Sequence, residues 1–450
     1  MRILALALLA GTTLATTLAT IAPAYAQDPT RMETVIRADA DSGEFMGAVL
    51  VAKDGKTLLD KGYGSANLEW KIANDGDTKF RLGSITKQFT AVSILLLAEQ
   101  GKVSLDAPIK TYIADAPATW DKITVRHLLH HMSGIANFTG FDDYAKQKTL
   151  PATTASLTAR FRDKPLDFQP GEKWNYSNSG YVLLTMIIEK ASGVSYAAFV
   201  TDNIFRPLGM ADSGHDSHAE VIARRASGYT QAKGVFSNAD YIDMSIPQGA
   251  GALYSTTHDL LKWQTGLFGG KMLKPESLKA FLTPSLRDYA LGITVTTDAG
   301  KTTISHGGGI EGFNTWLGYD PDAKITVVVL ANLNSGAPDR LGKSLMTLAR
   351  GGTVTLSAER QAITLPAAAL KQYEGTYEVS PTFGFTIRSD GAKLIAQATK
   401  QPELDLFAEK PDHFFFKVVD AQIVFVRDAA GKIIGAEMQQ NGRKTKATRK

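Results

Sequence analysis

Three short segments carry side chains able to do acyl-transfer chemistry. Ser84-Ile85-Thr86-Lys87 is the one Ser-x-x-Lys in the 450-residue chain, and it opens an apolar stretch running to Ala98. In the first turn of a helix, residues i and i+3 share a face, so the Lys87 amine can meet the Ser84 hydroxyl. A serine hydroxyl is a weak nucleophile until a base removes its proton, and a buried lysine that has lost its own proton can be that base. The same four residues also read as a capping serine followed by a surface lysine. Tyr176-Ser177-Asn178 is the one Tyr-x-Asn among 14 tyrosines. A tyrosine hydroxyl can relay a proton to a leaving group, and an asparagine amide can hold a substrate carbonyl. As an isolated tripeptide it would equally be a turn with a satisfied aromatic ring.

The third segment, His306-Gly307-Gly308-Gly309, ends a strand pattern that begins at Thr302. A lipase-type oxyanion loop is one reading, but the chain has no Gly-x-Ser-x-Gly elbow and the order relative to a nucleophile is wrong. The other is a strand edge with a basic side chain, where glycines let a substrate backbone lie close.

The elements that must position these residues follow from patterning. Gly47 to Gly64 alternates as a hairpin around Asp54-Gly55. Ser84 to Ala98 reads as a buried helix, and Tyr181 to Ala191 as a helix with one apolar face. Strands return at Thr302, then Phe313 to Tyr319 and Ile325 to Leu330 pair across Asp320-Pro321-Asp322, and a helix follows over Arg340 to Arg350. Strands at both ends with helices between predict an antiparallel sheet closed by its two ends, flanked by helices, with a helical lobe inserted: an α+β fold. From about residue 360 the chain breaks into short alternating segments with turns at Asp390-Gly391, Ala430-Gly431 and Asn441-Gly442, the pattern of a small all-β sandwich or barrel. The expected organisation is a leader over 1–26, a catalytic domain over 27–359 and a β domain over 360–450.

Composition narrows the function classes. A net charge of +4 is too small to argue for a nucleic-acid partner, and the basic tail from Arg443 to Lys450 reads as a solvated terminus. Zero cysteines excludes thiol catalysis and thiolate metal sites. Residues 1–26 hold a single charge, Arg2, an apolar run, Pro23 and Ala24-Tyr25-Ala26, which reads as a secretory signal cut after Ala26. The alternative of an uncleaved anchor is disfavoured by the threonine-rich second half and Pro23, and no later stretch is long and apolar enough to span a bilayer. The protein is therefore expected in the periplasm or outside the cell. His127, His130 and His131 have metal-ligand spacing but no Glu in a His-Glu-x-x-His pattern, so no metal and no cofactor is expected. The oligomeric state cannot be read from these features.

Taken in order, Ser-x-x-Lys, Tyr-x-Asn and His-x-Gly resemble the penicillin-recognising serine hydrolases, in the branch of class C β-lactamases, DD-peptidases, D-aminopeptidases and related esterases. Arg81-Leu82-Gly83, His127-Leu128-Leu129, Phe168-Gln169-Pro170-Gly171-Glu172, Pro207-Leu208-Gly209-Met210 and Gly249-Ala250-Gly251-Ala252 extend the resemblance over about Gly47 to Asn334. It implies a β-lactamase/transpeptidase-like fold, with Ser84 as acylated nucleophile, Lys87 as its proton partner and Tyr176 as general base and relay. Which of Lys87 and Tyr176 takes the first proton stays open. It further implies that Asn178, His306 and Gly308 bind substrate and that the N–H groups of Ser84 and Gly309 form the oxyanion hole. True class C β-lactamases usually have Lys-Thr-Gly where this chain has His306-Gly307-Gly308, which argues against strong β-lactamase activity; within the class, a peptidase acting on D-amino-acid-containing peptides is the expectation ahead of an esterase, and either ahead of a β-lactamase. A penicillin-binding sensor without turnover is the rival from another class. Tyr373-Glu374-Gly375-Thr376-Tyr377 resembles the start of the lipocalin-like domain some of these hydrolases carry.

Overall fold

The computed structural model describes residues 27–440 and 443–450. The proposed leader and the Asn441-Gly442 turn lie outside the described residues. Helix α1 (Pro29–Asp41) starts behind Asp28, whose side chain accepts from the Thr30 N–H. Strands β1 (Gly47–Lys53) and β2 (Lys56–Tyr63) form the expected hairpin, with Asp54 and Gly55 both at positive φ as a type I′ turn requires. The C-terminal half of the sheet comprises β3 (Thr294–Asp298), β4 (Lys301–Ile310), β5 (Phe313–Asp320) and β6 (Ile325–Ala331). Among the described residues these make one antiparallel sheet of six strands in the order β3-β4-β5-β6-β1-β2, so the chain's two ends do meet, through Gly47↔Ala331 to Lys53↔Ile325. Strand β3 is absent from the sequence expectation because its Thr-rich, half-exposed residues carry no apolar alternation.

Helices cover both faces of the sheet. This is why β1 and β6 are apolar at nearly every position rather than at every second one. Val49, Val51, Val327 and Val329 pack with Met32, Ile36, Leu341 and Leu345 from α1 and a C-terminal helix, Ala337–Ala349. The alternate residues Ala48, Leu50, Val328 and Leu330 pack into the larger core under the helical lobe.

Helix α2 (Thr86–Glu99) runs through the middle of that core and is buried from Thr86 to Leu95. Two of its hydroxyls are matched inside the protein: Thr90 Oγ1 donates to Gly249 O at 2.7 Å and Ser93 Oγ to Phe89 O at 2.8 Å. Each fully buried Leu or Ile there contributes about 2–3 kcal/mol of burial, so α2 belongs to the most stably folded part of the molecule. Helix α3 (Asn178–Ser192) packs beside it, starting three residues earlier than its apolar periodicity indicates.

The C-terminal region closes into a barrel of eight antiparallel strands among the described residues, from Gly375–Ser380 to Arg443–Arg449, which pair with each other through Tyr377↔Arg449. Closure leaves no open strand edge. Tyr373, Tyr377, Phe385, Phe414 and Phe425 fill its interior as a core separate from the two above. Arg31 on α1 reaches Glu359 and the Val354 carbonyl, fastening the connecting segment to the catalytic body. Among the described residues no single helix is long and apolar enough to cross a membrane.

Candidate active site

Ser84 sits in a 3-10 turn, Gly83–Ile85, immediately before α2. In such a turn residues i and i+3 eclipse, which stacks Lys87 under Ser84. Lys87 Nζ lies 3.2 Å from Ser84 Oγ, 2.9 Å from Asn178 Oδ1 and 2.8 Å from the Ala250 carbonyl. The side chain is fully buried, and no carboxylate offsets that burial, so its pKa is held well below the usual 10.5. A neutral amine has two N–H donors and one lone pair. In that neutral form the two donors go to Asn178 Oδ1 and Ala250 O, which can only accept, and the lone pair is left for Ser84 Oγ.

Tyr176 completes the group from the loop before α3, its hydroxyl donating to Ser84 Oγ at 2.6 Å. Burial raises the Tyr176 pKa, against the opposing effect of the Ser84 hydrogen bond, so the phenol keeps its proton. Lys87 Nζ also stands 4.7 Å from the centre of the Tyr176 ring. A serine hydroxyl between a proton acceptor and a proton donor is an arrangement that can form and break an ester.

The edge of β4 supplies the opposite wall. Strand β3 pairs with β4 only as far as Thr294↔Ser305, so residues 306–310 have β5 as their one strand neighbour. The His-Gly-Gly-Gly segment thus forms the C-terminal end of β4, where the strand has an open edge. A Cβ on Gly83, which has φ +53°, would stand 2.8 Å from Gly309 N. The backbones of the nucleophile turn and of Gly309 are therefore adjacent, as two donors to one oxyanion must be.

Two of the expected substrate contacts are different in the structure. A Cβ on Gly308 would fall 1.9 Å from the Leu82 carbonyl, and Gly308 lines neither of the cavities flanking Ser84. Glycine there makes room for the protein's own backbone. His306 is buried with both ring nitrogens engaged: Nδ1 donates to Gly307 O at 2.5 Å and Nε2 accepts from Tyr289 Oη at 3.0 Å. Burial and then the proximity of Lys87 lower its pKa to about 4, so it presents no cation to a substrate carboxylate at neutral pH. Asn178 does line the Ser84 cavity, but its amide already bonds Lys87 and, through Nδ2, Thr139 Oγ1 at 3.2 Å.

Sequence reasoning missed Tyr289 and Ala250, which touch these groups. Ala250 acts through its carbonyl, which no side-chain pattern reveals, and Tyr289 stands in no recognisable motif. Four other histidines have local partners. His131 accepts from the Ser177 N–H and bonds Tyr289 Oη, His130 bonds the Tyr289 carbonyl, His127 caps a short helix, and His258 lies between Asp60 and Asp77. Among the described residues no group of three or more His, Asp and Glu side chains is placed to hold a metal ion. Trp174 lines a cavity of about 910 Å³ on the Tyr176 side, while Ser84, Asn178 and Gly309 line one of about 470 Å³ on the other.

This sheet, lobe and three-part cluster define the β-lactamase/transpeptidase fold class. The chain belongs to the Beta-lactamase family, whose model matches residues 32–349, and residues 359–449 match a domain of unknown function, DUF3471. A penicillin-binding protein of Bacillus subtilis (strain 168) is 26% identical over 93% of this chain and 98% of its own. Among solved structures, the octameric penicillin-binding protein homologue from Pyrococcus abyssi superposes with a TM-score of 0.68 at 26% identity, over 94% of this chain and all of that one. The D-amino acid amidase from Ochrobactrum anthropi SV3 complexed with D-phenylalanine gives 0.60 at 25% identity, over 68% of this chain and 93% of its own.

Proposed function

We propose that the protein is an exported serine hydrolase that forms an acyl-enzyme on Ser84 and cleaves amide or peptide bonds of D-amino-acid-containing substrates. The observation that carries this is Ser84 Oγ held at 3.2 Å from a desolvated lysine and 2.6 Å from a protonated tyrosine on the wall of a cavity. Lys87 takes the Ser84 proton as Oγ bonds to the substrate carbonyl carbon, and the N–H groups of Ser84 and Gly309 receive the oxyanion. The C–N bond then breaks, Tyr176 gives its proton to the departing amine, and the Lys87 ammonium returns the proton it took to the Tyr176 oxygen. Water repeats the cycle on the ester, releasing the acid and restoring the Ser84 hydroxyl. Similarity to a D-amino acid amidase supports an amide substrate. Export rests on the leader-like residues 1–26.

A fluorophosphonate probe should label Ser84, and Ser84→Ala should lose both label and turnover. D-alanyl amides and peptides should be cleaved faster than nitrophenyl esters of other acids or a chromogenic cephalosporin. An adduct on another serine, or a cephalosporin as best substrate, would refute the reading. Sequencing the N-terminus of the secreted protein should give Gln27 first.

A further inference from the structure

The cavity beside Ser84 is apolar on one side, with Phe138, Tyr144, Ile242, Ile246, Pro247 and Ile310, and among its lining residues Glu311 bears the one formal charge. Glu311 lies two residues after Gly309, so at most about 7 Å of extended chain separates it from the oxyanion side of the site. Its Oε1 accepts from Lys148 Nζ at 2.9 Å, and Lys148 also reaches Asp240 at 3.4 Å. One ammonium thus serves two carboxylates, and Lys148 is not on the cavity wall. Glu311 Oε2 has no protein partner among the described residues, although the side chain is only 18% exposed. The neighbouring cavity, which shares Glu311 and Ile242, contains Arg81 and Arg225, but both are committed to the buried Asp216 at 2.6 and 2.5 Å.

We propose that Glu311 is a specificity residue that accepts a free ammonium on the acyl part of the substrate, making D-aminoacyl compounds with an unblocked α-amine the preferred class. This rests on the acyl-enzyme reading above. A half-buried carboxylate with one oxygen unused favours a cationic donor, because a charge-assisted hydrogen bond is stronger than a neutral one and an acyl group without a donor would leave that oxygen unmatched. Tyr144 and the isoleucines next to it suit an apolar side chain on the same residue.

The test compares D-alanine p-nitroanilide with N-acetyl-D-alanine p-nitroanilide. Wild type should prefer the free amine by about tenfold or more in kcat/KM, and Glu311→Gln should bring the ratio to about one, chiefly through KM of the amine substrate. Lys148→Met, which removes the competing ammonium, should raise the ratio, and this second variant serves if Glu311→Gln does not fold. Wild-type preference for the acetylated substrate, equal loss on both substrates in Glu311→Gln, or a lower ratio in Lys148→Met overturns the proposal. Protection of Ser84 from the fluorophosphonate by D-alaninamide and not by N-acetyl-D-alaninamide reads the site without turnover. If neither anilide is cleaved but that difference in protection appears, the hydrolase reading fails and the ammonium site stands. Equal protection sinks the site.

Discussion

Tyr289 Oη stands between two histidines, 3.0 Å from His306 Nε2 and 3.1 Å from His131 Nε2, and the direction of every proton in this chain is set at one end. The Ser177 N–H can only donate, so His131 Nδ1 accepts at 3.2 Å and His131 Nε2 must carry the proton. Nε2–H then donates to Tyr289, Tyr289 donates to His306 Nε2, and His306 Nδ1–H is left to donate to Gly307 O. The His131 ring also lies 4.3 Å from that of Tyr176, so the wire backs directly onto the residue that donates to Ser84.

Tyr289→Phe removes the donor that holds His306 Nε2 as an acceptor. The pKa of His306 should rise from about 4, and the imidazolium formed would repel a protonated Lys87. The acid limb of the kcat/KM profile should move to lower pH, with a loss of about tenfold or less at pH 8. A profile of unchanged shape would assign the wire a packing role only.

The same histidines make stability depend on pH with a definite sign. Folding holds His306 at about 4 against an ordinary 6.5, and burial lowers His131 as well. As pH falls below about 6.5 the unfolded chain binds protons first, so the stabilisation is complete above that pH and is lost on the way down through about 4. Tm measured from pH 7 to 4 should fall, and His306→Asn should flatten the slope. An equal slope in the variant would place the sensitivity elsewhere.

Lys87 as the base can be tested by its chemistry, because the chain has no cysteine. Lys87→Cys should lose about a thousandfold or more in kcat/KM, and alkylation of that single thiol with bromoethylamine should restore part of it. The thioether makes the new amine less basic, so the acid limb should sit at lower pH than in wild type. Rescue with an unshifted limb would identify a different titrating group. The Lys87 and Tyr176 substitutions should also be strongly non-additive, since both act on one oxygen.

Neighbouring glycines on β4 should behave differently. A Cβ on Gly307 meets only the Thr315 carbonyl at 3.5 Å, an ordinary contact, whereas one on Gly308 overlaps Leu82 O at 1.9 Å. Gly307→Ala should leave Tm within a few degrees of wild type. Gly308→Ala should cost about 1–3 kcal/mol and push the strand from the nucleophile turn, with a larger loss in kcat than in stability. Comparable Tm values for the two variants would contradict the close approach.

Among the described residues none beyond Gly352 lines either cavity at the site, and the barrel has a core of its own. A chain ending at Glu359 should therefore keep fluorophosphonate labelling of Ser84 and hydrolysis of a small amide. A folded truncation, checked by circular dichroism, that is inert toward both would assign the barrel a part in the site.

Local patterning was enough to read the buried helix after Ser84, the Asp54-Gly55 hairpin and the meeting of the chain's two ends, because each follows from side-chain periodicity or a turn's φ requirement within a few residues. It was also enough to single out Ser84, Lys87 and Tyr176 as types capable of acyl transfer. Three things needed the tertiary structure. That the Lys87 pKa is lowered follows from its burial in a pocket closed by Asn178 and Ala250, 91 and 163 residues away in sequence. That position 308 has no room for a side chain against Leu82 follows from how closely β4 approaches the Ser84 turn. That His306 is uncharged and turned toward Tyr289 follows from a hydrogen-bond chain starting at Ser177. Protonation state and donor direction depend on groups brought together by packing, and a linear pattern of residue types carries no record of them.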